Sequence, residues 1–385
     1  MLSGNLTESC KSLGQALLGG QSEDSVRIRE ESDAEVLASL RQNLAVALAK
    51  ALTLLVGVLL SSYFFSMGLG PFLFYSIPQG LEAAAKQVAA LPVSVFMVIN
   101  FEIPFGADVG VFFLALWLLY VCAFALAWVD RPGFLASLRD LSLNRLTVTR
   151  SNYLVILPLF ASVMFVAVVF LQALQESVGV QTGGISFESP MLGFLAVSYA
   201  PFVEEFSYRI TTLGLLDGLH LSWKMRRVRT NDERTSAIRL LAITIWKPER
   251  AKQALGLKTI QSHGMRAGIS RFEWVILVAT SGAFGAVHYV AGGGWDIGKI
   301  STAMISGLAM GLVYLRYGVY APILLHWFFN YYFGAFDLAS QVQLARFDLV
   351  AFGVEFLNLG VGILIAVVLV ISFFTRVLGS KGPIK

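Results

Sequence analysis

Long apolar runs, separated by shorter polar stretches, recur along this 385-residue chain. Crossing a hydrocarbon core of about 30 Å takes roughly 20 residues of helix. Runs of that kind fall near 44–66, 107–129, 152–174, 190–216, 272–290, 298–315, 319–336 and 350–374. Lipid offers backbone N–H and C=O groups no partner, so such runs must be helices or closed barrel strands. Their length and unbroken apolarity exclude strands. The pattern predicts an all-α, polytopic membrane protein with about eight transmembrane helices. Between the first two runs, residues 67–106 place Pro71, Pro78, Pro92 and Pro104 among short apolar pieces. That stretch predicts an external hairpin or re-entrant region, because proline interrupts helix hydrogen bonding.

Composition excludes a water-soluble surface: 56% of residues are hydrophobic and 14% charged, with a mean hydropathy of +0.69. The two cysteines, Cys10 and Cys122, leave no basis for a disulfide framework or a Cys-based metal site. Acidic residues crowd the first 43 positions ahead of any apolar run, the reverse of a signal peptide's order, so the first span itself is expected to direct insertion.

Charge then orients the chain. Of the 29 Lys and Arg residues, 24 fall in the N-terminal segment, the 130–151 loop, the 217–271 loop, Arg316 and the tail. Only Lys86, Lys299 and Arg346 fall in the opposite segments. Cytoplasmic loops carry the basic excess, so both termini are expected in the cytoplasm of a multi-pass protein of the cell membrane. The organisation expected is a polar cytoplasmic segment at 1–43, N-terminal spans at 44–149, a membrane core at 150–336 with a basic cytoplasmic loop at 217–271, and a C-terminal span and tail at 337–385. Within that loop the piece Arg234–Leu241 is amphipathic and suited to anionic headgroups. The lipid bilayer is the partner implied, and no nucleic acid. Gly307 with Gly311, and Gly282 with Ala286, are small-residue pairs that permit close helix contact.

Ionisable groups inside spans are costly and mark sites that face a cavity or a partner. Here they are Glu204, Glu205 and Arg209 in the fourth run, His288 in the fifth, and His326 with Asn330 in the seventh. Glu205 and Arg209, four apart on one helix face, are expected to form a structural ion pair. Glu204 is rotated by about 100° from Glu205, away from that cation and free to face a cavity. His326 and Asn330 share a face. Counted at about 1.5 Å per residue, Glu204, His288, His326 and Asn330 converge near mid-membrane. Such a network suits a hydrolase, a transporter or proton relay, or a polar lock between helices.

The order Glu204-Glu205-xxx-Arg209, Phe284-xxx-His288, His326-xxx-Asn330 resembles the CPBP family of intramembrane proteases, which includes the type II CAAX prenyl endopeptidases and ABI-type proteins. The resemblance spans roughly 150–336 and departs from the family in the length of the basic loop between the first and second motifs. It implies a conical or bundle-like catalytic core and an intramembrane endopeptidase acting on a membrane-associated or lipidated, CAAX-type protein. It also implies that Glu204 and His288 activate water while His326 and Asn330 stabilise the oxyanion. No HExxH is present, so Glu/His chemistry without a cofactor is favoured, with a divalent metal such as zinc as the alternative. Transport, or a non-catalytic immunity or binding role, are the competing functions.

Overall fold

A computed structural model of the chain describes residues 23–145, 147–187, 189–228 and 237–379. Among the described residues, 23–54 with 140–145 form one compact unit, and 55–139 with those between 147 and 379 form a second, which holds the motif helices. Among the described residues, six helices are long and apolar enough to cross a membrane: Glu35–Ser76, Val109–Val129, Tyr153–Ser177, Arg271–Val290, Gly298–Tyr317 and Phe347–Thr375. Their outward faces are greasy. The last helix exposes Phe352, Phe356, Leu364 and Val368, a surface that water would not tolerate but lipid does. The protein is a multi-pass helical membrane protein.

The helices are labelled in chain order: α1 Glu23–Ser76, α2 Pro78–Ala84, α3 Val109–Val129, α4 Phe134–Ser142, α5 Tyr153–Ser177, α6 Pro190–Glu205, α7 Leu215–Val228 and α8 Ala237–Trp246. They continue with α9 Pro248–Ala254, α10 Ile260–Gly268, α11 Arg271–Val290, α12 Gly298–Tyr317, α13 Tyr320–Trp327, α14 Phe333–Gln341 and α15 Phe347–Gly379.

The two expected spans absent from the six, 190–216 and 319–336, are helical but composite. A π-helical segment, Phe206–Gly214, joins α6 to α7, and another, Phe328–Tyr332, joins α13 to α14. Apolar periodicity cannot distinguish a π-turn from an α-turn over so few residues, and both segments lie beside motif residues, where π-bulges often serve function. The first helix begins at Glu23, well before the expected 44, while residues 1–22 of the N-terminal segment lie outside the described residues. So do Arg234–Ser236 of the amphipathic piece and the tail beyond Gly379.

The proline-rich stretch contains α2 and an antiparallel β-hairpin, β1 Gln87–Val95 and β2 Ile99–Asp108. Pro92 and Pro104 sit inside these strands, which a two-stranded ribbon allows because each strand has a free edge. At its tip, Phe96 and Met97 adopt φ of 51° and 66°. This hairpin is the one β element added to the expected helices among the described residues.

Helices α11 and α12 pack closely through glycine. A Cβ on Gly285 would lie 2.3 Å from the Ile300 carbonyl, and one on Gly311 would lie 2.1 Å from Leu277 Cδ1. Gly307 faces the same partner, with Phe284 and Ser281 beside it. Gly282 meets nothing within 4 Å, so on α11 the close contact belongs to Gly285 rather than to the Gly282–Ala286 pair.

Candidate active site

Helix α6 starts with Pro190 in its first turn, where the missing N–H costs nothing. Pro201, deep in the same helix, has no N–H to offer the Val197 carbonyl four residues earlier. Asn330 supplies the donor: its Nδ2 lies 2.9 Å from Val197 O. The neighbouring Ser198 carbonyl accepts the Tyr120 hydroxyl at 2.6 Å. The proline therefore reorganises the backbone one turn before Glu204, and a motif residue repairs it.

From there a polar chain runs across three helices. The Arg209 guanidinium donates through Nη2 to Gly307 O at 3.0 Å, lies 4.5 Å from the Phe284 ring centroid, and pairs through Nε with Glu205 Oε2 at 3.2 Å. The other oxygen of Glu205, fully buried, meets His326 Nδ1 at 2.9 Å. His326 Nε2 faces Glu204 Oε2 at 3.7 Å, and Glu204 remains 28% exposed at its side chain. The two glutamates thus differ as their 100° separation suggested: Glu205 is enclosed between Arg209 and His326, and Glu204 borders open space.

Hydrogen-bond partners assign the protons. A carboxylate beside a guanidinium can only accept, so the Nδ1 of His326 donates to Glu205, and its Nε2 donates toward Glu204 only as imidazolium. His288 Nδ1 lies 2.7 Å from the Phe284 carbonyl, which also only accepts, leaving Nε2 of His288 free. The Phe284 ring centroid is 4.7 Å from that of His288 and 6.2 Å from that of His326, so the FxxxH phenylalanine touches both imidazoles and the arginine. The structure brings Glu204, Glu205, Arg209 and His326 into direct sequence of contact. His288 joins them electrostatically, interacting with both Glu204 and His326. Asn330 is directed at Val197 O through one N–H.

The site is not centred along every helix. His288 lies two residues before α11 ends at Val290, and Lys299 one residue into α12, so this part is built at the α11–α12 turn. Lys299 interacts with Glu204 and His288 and sits 3.8 Å from the Trp295 ring centroid. Sequence reasoning counted Lys299 only as a misplaced cation; its isolation on the side poor in basic residues was the available signal. A hairpin was expected within 67–106, but not the contact of its tip with the site. Met97 N donates to Ser207 Oγ at 2.9 Å and Phe96 N to Thr211 Oγ1 at 3.0 Å, pinning the hairpin to the π-segment that follows Glu205. Met97 also packs against Tyr208, Phe284 and Ala303.

Among the described residues, no three His, Cys, Asp or Glu side chains are grouped to share a metal ion. Residues 186–332 match the family model described as type II CAAX prenyl endopeptidase Rce1-like, a stretch containing every motif residue above. No curated protein and no solved structure matches the chain. The segment 186–332 of this multi-pass membrane protein is thus similar to the Rce1-like type II CAAX prenyl endopeptidase domain.

Proposed function

We propose that the protein is an intramembrane endopeptidase that hydrolyses a peptide bond of a membrane-associated or lipidated, CAAX-type protein with water activated by Glu204, without a metal. The observation that carries this reading is the relay itself. One carboxylate, Glu205, is neutralised by Arg209 and fixes His326, while the adjacent carboxylate, Glu204, stays partly open and faces the same imidazole.

In this reaction Glu204 takes a proton from water as its oxygen bonds to the carbonyl carbon. His288 accepts the second hydrogen through its free Nε2 and orients the nucleophile. The oxyanion takes hydrogen bonds from His326 Nε2, as imidazolium, and from the Asn330 N–H not spent on Val197. The C–N bond then breaks as Glu204 returns its proton to the leaving amine. Lys299 stabilises the charge of the Glu204 carboxylate between turnovers.

The test is cleavage of CAAX-type and unlipidated membrane peptides by purified protein in liposomes. Glu204→Gln should lower turnover by about 10²–10⁴, the range for loss of a positioned base. Near-wild-type turnover of a folded Glu204→Gln protein overturns the assignment. Loss of activity on chelation with recovery on zinc would make His288 and His326 metal ligands instead.

A further inference from the structure

At the end of the core where α3 and α12 stop and α5 starts, a cavity of about 440 Å³ is lined by five cations: Arg131, Arg150, Lys247, Arg250 and Arg316. Two carboxylates are near: one offsets the charge of Lys247 and Arg250, and the other is engaged by backbone N–H groups. Asp130 takes Lys247, the Tyr320 hydroxyl and, at 3.9 Å, Arg250. Glu249 accepts the backbone N–H groups of Ile260 and Gln261 at 3.2 and 2.6 Å. Arg131, Arg150 and Arg316 have no carboxylate within ion-pair distance among the described residues.

Arg316 is the decisive residue. It is only 5% exposed, its Nε is fixed by Thr149 O at 2.7 Å, and its guanidinium lies 4.6 Å from the Tyr317 ring centroid. Its Nη2 is nonetheless buried without a hydrogen-bond partner. A buried guanidinium N–H left unmade is expensive, and more so beside Arg131 and Arg150, which also lack a carboxylate partner. The arrangement calls for an anion with several acceptor oxygens, the chemistry of a phosphate group. Its position supplies the source. The cavity lies at the ends of membrane-spanning helices, with Trp128 and Trp246 exposed nearby as interfacial aromatics are, at the level where phospholipid headgroups sit.

We propose that this cavity is a binding site for the phosphate group of an anionic phospholipid, held by Arg316 at its base and by Arg131 and Arg150 at its rim. The site is separate from the Glu/His relay and does not depend on the proposed peptidase activity.

The experiment is thermal denaturation of the full chain in neutral detergent micelles doped with phosphatidylglycerol, with phosphatidylcholine, or with inorganic phosphate added to phosphatidylcholine. A ligand that binds only the folded state raises the melting temperature. Phosphatidylglycerol should raise it and phosphatidylcholine should not. The Arg131→Gln/Arg150→Gln double variant, altered at two exposed side chains of which Arg150 also donates to Gln261 O at 3.4 Å, should lose at least half of that shift relative to its own melting temperature in phosphatidylcholine. Arg266→Gln, an exposed cation of the 217–271 loop outside the cavity, should keep it. A shift reproduced by inorganic phosphate alone would support the anion site and identify a soluble phosphate compound as its occupant. Equal shifts with the two lipids, or equal losses in the Arg266 and cavity variants, would overturn the proposal. None of these readouts measures peptide cleavage, so failure here and failure of the peptidase reading are distinguishable.

Discussion

Glu205 and Arg209 form an ion pair that four-residue spacing makes legible, because i and i+4 side chains on a helix meet. Its third member, His326, lies 121 residues away in the chain, and no local pattern announces it. That member changes what the pair does. With both oxygens engaged, Glu205 keeps a proton on His326 Nδ1 and fixes the ring's orientation as well as balancing charge. Two consequences separate at this scale. Arg209→Met should strand the Glu205 charge and destabilise the protein by about 3–5 kcal/mol, while Glu205→Gln with Arg209→Met should cost less, as melting in detergent would show. Glu205→Gln alone should fold but lose activity by about 10²–10⁴, since an amide cannot impose the same proton placement on the imidazole. A Glu205→Gln enzyme with normal turnover would reduce Glu205 to a purely structural partner of Arg209.

At the scale of elements, the helices were written in apolar run length, and the motif residues stood out as ions in lipid. The features that place those residues were not. A π-segment adds too little to shift an apolar pattern, and Pro92 and Pro104 argued against the strands they occupy. Helix α6 shows how two such features meet, since Pro201 removes the backbone donor for Val197 O and the π-segment bearing Asn330 provides another. Asn330→Leu should therefore cost about 0.5–1.5 kcal/mol by removing the donor to this part-buried carbonyl. In a Pro201→Ala background the backbone N–H returns, so the same substitution should cost measurably less. A double-mutant cycle read by thermal denaturation isolates this coupling. Peptide turnover by Pro201→Ala/Asn330→Leu, once folding is restored, then reports the oxyanion role by itself. Additive stabilities would show that Asn330 does not compensate the proline.

For the whole molecule, the basic loops and the Glu/His relay define opposite ends of the helices that carry them. Helix α11 leaves the basic loop at Arg271 and reaches His288 just before it ends, and α12 begins beside Lys299 and finishes at Arg316. The charge asymmetry predicts that the α5–α6 connection and the basic loop lie across the membrane from each other. In a background without Cys10 and Cys122, cysteines at the exposed positions Val178 and Ile238 should react with an impermeant thiol reagent from opposite sides of sealed vesicles. Labelling from one side would refute the orientation and both cytoplasmic termini with it. The repair of Val197 O by Asn330 reaches further, into inheritance. An aspartate in place of Asn330 would present a carboxylate that has no N–H to give. Across chains bearing this domain, aspartate there should accompany a residue other than proline at the position of Pro201. Lineages that keep proline and aspartate together would show that the two positions evolve independently.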